Sequence, residues 1–175
     1  NTVAIAALAN ETVLLMLGLM FVGASPGSTG GGVKTTSAGL LFLMMRSRLK
    51  GEEEVNAFGR TIPREVLQRT LSIILVAALS ICLVVSVLLL LPAGEDGTPA
   101  AARQRLVEYV FETMSAFGTV GLSMDLTPQL NAPQKLAVAV MMFVGRVGPL
   151  TLAFSLARRI RKPTVAFAEE GVMVG

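Results

Sequence analysis

Three short stretches of this chain carry residues whose types and spacing could do chemistry. Residues 23–34 read Gly-Ala-Ser-Pro-Gly-Ser-Thr-Gly-Gly-Gly-Val-Lys, residues 118–122 read Gly-Thr-Val-Gly-Leu, and Arg146 stands alone in an otherwise charge-free run from Leu136 to Ala157. The sequence has no histidine and a single cysteine, Cys82. That excludes His/Cys metal centres, haem ligation, histidine-based catalysis and an internal disulfide. What Thr119, Val120 and Gly121 offer is backbone: successive carbonyls can replace the hydration shell of a cation. Glycine permits the unusual dihedrals that aim such carbonyls to one side.

The glycine run invites comparison with a phosphate-binding loop, G-x-x-x-x-G-K-[ST]. Gly27 and Gly32 have that separation, but Val33 intervenes before Lys34. The run also follows an apolar helix-like segment, whereas the phosphate cradle needs a strand before it. A glycosylation sequon, Asn10-Glu11-Thr12, carries little weight by itself. The acids Glu108, Glu112 and Asp125 are the only basis for a rival reading as a membrane-embedded enzyme. They flank an apolar segment and do not occupy a span. A non-transporting structural subunit is the other alternative.

The elements that must position these groups are those of a membrane protein. Of 175 residues 53% are hydrophobic and 15% charged, against roughly 25% charged in a soluble domain; the mean hydropathy is +0.67. Leu71–Leu91 and Leu136–Ala157 are each long enough to cross a bilayer, which takes about 20 apolar residues. Thr12–Met45 would be a helix of about 51 Å, too long for one span, and the glycines and Pro26 at its centre break it. Broken helices of this kind line ion and substrate pathways. Basic residues cluster at 46–69 and 158–162, which the positive-inside rule places in the cytoplasm and which explains the net charge of +3 without nucleic acid. The intervening patch from Leu106 to Phe117 is too short to cross. Val107, Val110, Phe111, Met114 and Phe117 share one helical face, with Glu108 and Glu112 on another. A short helix followed by an irregular Gly118–Ser123 return is the plan of a re-entrant pore loop.

The Thr119-Val120-Gly121 triplet matches the first three residues of the potassium-channel filter, T-V-G-Y-G. The longer stretches extend that likeness. Phe21–Lys34 resembles the intramembrane gate loop in the third repeat of the Trk/Ktr/HKT potassium transporters, and most closely that of the Ktr pore subunit. Phe111–Ser123 resembles the fourth-repeat filter of the same superfamily, and Met142–Thr151 its fourth inner helix. The resemblance implies an all-α membrane protein built of helix–pore loop–helix repeats, with broken transmembrane helices and a re-entrant pore helix. On this reading 1–45 is the third inner helix, broken by the loop 24–34, and 46–69 is a cytoplasmic loop. Residues 70–162 form the fourth repeat, with spans 71–91 and 136–157 and pore loop 106–123, and 163–175 is a cytoplasmic tail. The first two repeats and the third filter are expected upstream of Asn1.

The resemblance further implies potassium uptake across the plasma membrane, with no cofactor in this chain and Na⁺ or H⁺ as candidate coupling ions. Gly118, Thr119, Val120, Gly121 and Leu122 are the expected filter segment, with K⁺ held by the carbonyls of Thr119, Val120 and Gly121. Leu122 stands where channels have tyrosine, which lowers the expected K⁺/Na⁺ discrimination. Ser25, Pro26, Gly27, Ser28, Thr29, Gly30, Gly31, Gly32 and Lys34 are the expected gate loop. Arg146, expected near the middle of its span, is the expected stabiliser of that loop, because a central arginine needs partners and freed loop carbonyls can supply them. The implied partners are membrane lipid, a second pore subunit in a homodimer, and a cytosolic nucleotide-binding regulator ring that touches 46–69 and the tail.

Overall fold

The computed structural model describes residues 4–52, 54–91 and 99–148. The expected tail 163–175, the basic cluster at 158–162 and the second half of the 136–157 span lie outside the described residues. Five helices follow in order: α1 (Asn10–Phe21), α2 (Thr35–Leu49), α3 (Arg64–Leu90), α4 (Pro99–Gly118) and α5 (Ala132–Val147). A two-stranded antiparallel hairpin, β1 (Asn56–Ala57) and β2 (Arg60–Thr61), joins α2 to α3.

The 46–69 segment is therefore more ordered than a loop: it holds the end of α2, the hairpin and the first turns of α3. Pro63 precedes α3, and its missing N–H is no loss at a helix start, where the first donors have no partner in any case. At 27 residues α3 is the one described helix long and apolar enough to cross a membrane. Leu71, Leu75, Leu79 and Leu83 leave an uncovered apolar stripe at four-residue spacing along it; such a stripe is a liability in water and ordinary in lipid. Its hydroxyls do not stay orphaned, as Thr70, Ser72, Ser80 and Ser86 each donate to the carbonyl four residues earlier. In hydrocarbon an unsatisfied group would cost several kcal/mol.

α4 is the centre of the fold. The predicted helix over Leu106–Phe117 is its inner portion; the observed helix starts earlier, at Pro99. Arg103 and Gln104 are exposed, whereas Tyr109, Phe111, Glu112, Thr113, Ser115, Ala116 and Phe117 are all buried. The amphipathic expectation thus needs correction at two places: Val107 is exposed and Glu112 is buried. An amphipathic stripe presumes one covered side, and here both sides of the helix are covered. One side packs with α3 and α5 through Ala77, Leu88, Tyr109, Phe117, Val138 and Met141. The other carries Phe111 against Val13 and Met20 of α1, together with Met124.

α5 is fixed at its start by a capping box, in which Asn131 accepts from Gln134 N and Gln134 Oε1 accepts from Asn131 N. The same fully buried Gln134 reaches across the bundle. Its Nε2 donates to Leu88 O at 3.0 Å and lies within hydrogen-bond distance of Leu91 O and the Tyr109 hydroxyl. One amide thus ties the ends of α3 and α5 to α4 by satisfying carbonyls that α3 leaves open at its terminus. Replacing Gln134 by leucine keeps the volume and strands those acceptors, so the substitution should lower stability by about 1–3 kcal/mol. Thermal unfolding of the detergent-solubilised full-length protein is the check, with Lys135→Ala on the adjacent position as the neutral comparison.

Candidate ion pathway

The break between α1 and α2 falls where the glycines and Pro26 put it. The two ends of the loop meet: Gly23 N donates to Val33 O at 2.8 Å and Val33 N donates to Phe21 O at 3.1 Å, a single parallel bridge between Val22 and Val33. The loop is therefore a closed, necked unit of the kind that packs against its own ends. Within it Ser25–Ser28 form a turn closed by Ser28 N and Oγ on Ser25 O, with Pro26 and then Gly27 at φ 87° in the two central positions. Those residues suit a turn that needs positive φ third. Ser25–Thr29 are exposed, while Gly31 and Val33 are buried.

The buried side of the loop is pressed against the end of α4. Gly31 N donates to Thr119 Oγ1 at 2.8 Å, which joins the two predicted sites directly. A Cβ built on Gly31 would stand 2.6 Å from Phe117 O and 3.0 Å from Gly145 O, and one on Gly145 would overlap Phe117 O. A Cβ on Gly118 would likewise stand 2.8 Å from Met20 O. Real Cβ atoms do not approach backbone oxygens so closely. Three backbones, those of the loop, the α4 terminus and the last turn of α5, thus meet with no side chain between them. The Phe21 and Phe117 rings, 6.5 Å apart and tilted by 31°, cover this junction.

Beyond the junction the chain leaves α4 irregularly. Thr119 N donates to Ala116 O and Val120 N to Ser115 O, the closing bonds of a helix end. Thr119 then takes φ 52° and Gly121 φ 84°. For a β-branched residue the first value is a true outlier, and it is held by the hydrogen bond from Gly31. The non-helical return after Gly118 therefore exists, and its two positive φ values flank Val120. Val120 and Gly121 are exposed, and Leu122 is partly covered.

Arg146 departs from its expected setting. α5 ends at Val147 with Gly148 as its cap at φ 89°, so Arg146 sits in the last turn of that helix. It is exposed, and among the described residues no hydrogen bond links it to the loop. The cation that does reach a loop carbonyl is Lys34, whose Nζ donates to Gly30 O at 2.6 Å. Arg146 is nonetheless the residue after Gly145, so its backbone belongs to the junction.

Sequence reasoning did not anticipate the role of Glu112. It is 5% exposed and accepts hydrogen bonds from Ser123 Oγ at 2.8 Å and from Thr127 Oγ1. With Thr119, Gly121 and Met142 these residues line a cavity of about 300 Å³. The available signal was Glu112 itself, an acid within the patch where burial is densest. Its two partners lie 11 and 15 residues on, at no periodic spacing. Among the described residues no group of three or more His, Cys, Asp or Glu side chains could hold a metal ion.

The glycine contacts generate a graded expectation. Gly145→Ala should separate α4 from α5 and lower both thermal stability and transport in the full-length protein, and Gly31→Ala should do so less. Gly39→Ala, in α2 with nothing within 4 Å of its added Cβ, should raise stability by about 0.5–1 kcal/mol through backbone entropy. Equal behaviour of the three variants in thermal unfolding would remove the close-contact account.

The chain matches the family described as TrkH, cation transport protein, over residues 1–169. It is 39% identical over 166 residues to the potassium/sodium uptake protein NtpJ of Enterococcus hirae, covering 93% of this chain and 35% of that protein. It is 33% identical over 174 residues to Ktr system potassium uptake protein D of Bacillus subtilis, covering 99% of this chain and 36% of that one. Ktr system potassium uptake protein B of Vibrio alginolyticus is 35% identical over 176 residues, covering 100% and 36%. The chain thus spans about a third of the length of these relatives. A mostly helical chain with one described helix long and apolar enough to cross a membrane accords with membrane transporters of this kind. On the match over nearly its whole length, the chain belongs to the TrkH cation transport protein family, whose members are transporters and not enzymes.

Proposed function

We propose that this chain is the C-terminal portion of a potassium-uptake pore in the plasma membrane, holding a third inner helix and a complete fourth helix–pore loop–helix repeat. α1, the necked loop and α2 are the broken inner helix, α3 and α5 flank the pore loop, and the inner half of α4 is the pore helix. Gly118–Leu122 contribute one quarter of a filter in which carbonyls of Thr119, Val120 and Gly121 coordinate K⁺. Ser25–Lys34 form the gate, with Arg146 placing a permanent positive charge beside it. The whole assembly is a homodimer of pore subunits in lipid, driven by a cytosolic nucleotide-binding ring on the side of 46–69 and the tail, with Na⁺ or H⁺ as candidate coupling ions.

The observation that carries this reading is the hydrogen bond from Gly31 N to Thr119 Oγ1. It puts the candidate gate in contact with the candidate filter across 88 residues of sequence. The relatives' names support the ion: they are potassium or potassium/sodium uptake proteins.

Two experiments on the complete protein test it. Gly121 has φ 84° and open space around its Cα, so Gly121→Ser changes backbone freedom and little else. It should reduce K⁺ uptake or shift K⁺/Na⁺ preference with membrane abundance unchanged, and unaltered transport would sink the filter assignment. Deleting Gly30–Gly32 and, separately, Arg146→Ala should each raise flux through a leaky gate. Combined, the two should not add, because both remove one barrier; additive gains would show the loop and the arginine to act independently.

A further inference from the structure

The geometry points to Glu112 as the positioning residue for the return strand after the filter segment, acting through the hydroxyls of Ser123 and Thr127. This inference rests on the reading of Gly118–Leu122 as a filter. Glu112 is on α4, six residues before Gly118 in sequence, and its side chain is almost wholly buried. Each of its carboxylate oxygens takes one hydroxyl: Oε2 that of Ser123, Oε1 that of Thr127. The two hydroxyl oxygens are themselves 3.3 Å apart, so carboxylate and hydroxyls close a small ring. Ser123 is two residues beyond Gly121 and Thr127 opens a 3-10 turn at Thr127–Gln129. Between them, Met124 and Leu126 are buried and Asp125 stands at φ 61°.

The ring therefore fixes the chain where local structure cannot. From Thr119 to Leu126 there is no helix or strand to hold the register, and the segment changes backbone hand at Thr119, Gly121 and Asp125. Thr119 is held from one side by Gly31 and the far end is held by Glu112. Val120 N is tied back to Ser115 O at the end of α4, and Gly121 and Leu122 run on from there to the Glu112 anchor. Discrimination between cations of different radius depends on where carbonyls stand to within a few tenths of an ångström, and so on both anchors. Charge-assisted hydrogen bonds to a buried carboxylate are shorter and stronger than neutral ones, which suits the task. An apolar side chain of the same size would leave both hydroxyls of the ring without their acceptor.

The test uses the full-length transporter, with initial rates of Rb⁺ and Na⁺ uptake at equal membrane abundance. Glu112→Leu and the pair Ser123→Ala with Thr127→Val should each lower the Rb⁺/Na⁺ preference about threefold to tenfold, the scale of one hydrogen bond's differential. Combining all three substitutions should lower it no further. Glu112→Gln, which can accept from one hydroxyl and donate to the other, should retain most of the preference. A purely structural glutamate would lower abundance or maximal rate and leave the preference untouched, and that outcome overturns the proposal. Loss in Glu112→Gln as large as in Glu112→Leu, with the hydroxyl pair at wild-type preference, overturns it as well. Should Glu112→Leu fail to reach the membrane, the hydroxyl pair, which removes no buried charge, decides alone. Gly121→Ser runs alongside: if it too changes nothing, the filter reading has failed, whereas a shift in Gly121→Ser alone confines the failure to Glu112.

Discussion

Everything about this site depends on the carbonyl of Phe117 lying against two glycines. Gly145 and Gly31 have no Cβ, so the last turn of α5 and the loop after α1 both close onto the last turn of α4. Without side chains between them, helices in a bilayer gain attraction from backbone packing, which lipid tails cannot replace. The contact sets the depth at which α4 stops, hence where Thr119 begins, and it brings the loop within reach of the Thr119 hydroxyl. Widen it by one methyl group and the hydrogen bond from Gly31 is the first to go.

In the proposed pore the contact also explains how so irregular a segment could sit at membrane depth. Residues 22–34 and 119–126 carry backbone groups that no helix satisfies. Some are met internally, at the Val22–Val33 neck, the Ser25–Ser28 turn and the Lys34–Gly30 bond. Others are met across the junction, where Gly31 N donates to Thr119 Oγ1, or by the end of α4, where Ala116 O and Ser115 O accept from Thr119 N and Val120 N. Polar irregular backbone at membrane depth is tolerated where protein or water surrounds it. The exposed faces of the loop, Ser25–Thr29, and of the return, Val120 and Gly121, are where water or an ion would stand in the proposed pore.

How much of this was legible in the sequence follows from the range of the interactions. The break at 23–34, an apolar helix through 71–90 and the irregular return at 118 are written locally, in glycine, proline and hydropathy, and the structure has each of them. Hydropathy runs smoothly from Leu136 to Ala157, so the end of α5 at Val147, one residue after Arg146, has no polar signal. Gly148, the cap at φ 89°, marks that helix end by conformation and not by polarity. Glu112 was assigned to a polar face because helical periodicity presumes one buried side, whereas α4 is packed on two. Gln134 gave no signal at all, since its partners Leu88, Leu91 and Tyr109 are 46, 43 and 25 residues away. Long-range polar ties are invisible to any local pattern, and here they hold the bundle's ends.

The same division bears on how the proposed gate loop could move without unfolding. The neck at Val22 and Val33 makes the loop a unit, so displacing it needs no rearrangement inside it. Its attachment to the α4 terminus is one neutral hydrogen bond and a set of close glycine contacts. A neutral hydrogen bond contributes only about 0.5–1.5 kcal/mol net, and water could take its place in an open state. α2 begins at Thr35, directly after Lys34, and runs about 22 Å to the hairpin and the start of α3. A pull on the hairpin end therefore arrives at the neck as a rigid-body shift of the α2 helix. What must resist that pull is the α4–α5 contact of Gly145 with Phe117 O, which Gly31 of the loop touches from the side. The fixed half of the junction and the separable half thus share one carbonyl, Phe117 O, and differ in what else holds them. α5 is anchored again at Gln134, at its other end, while the loop is tied by the hydrogen bond to Thr119, the close Gly31 contacts and Val33 packed in the core.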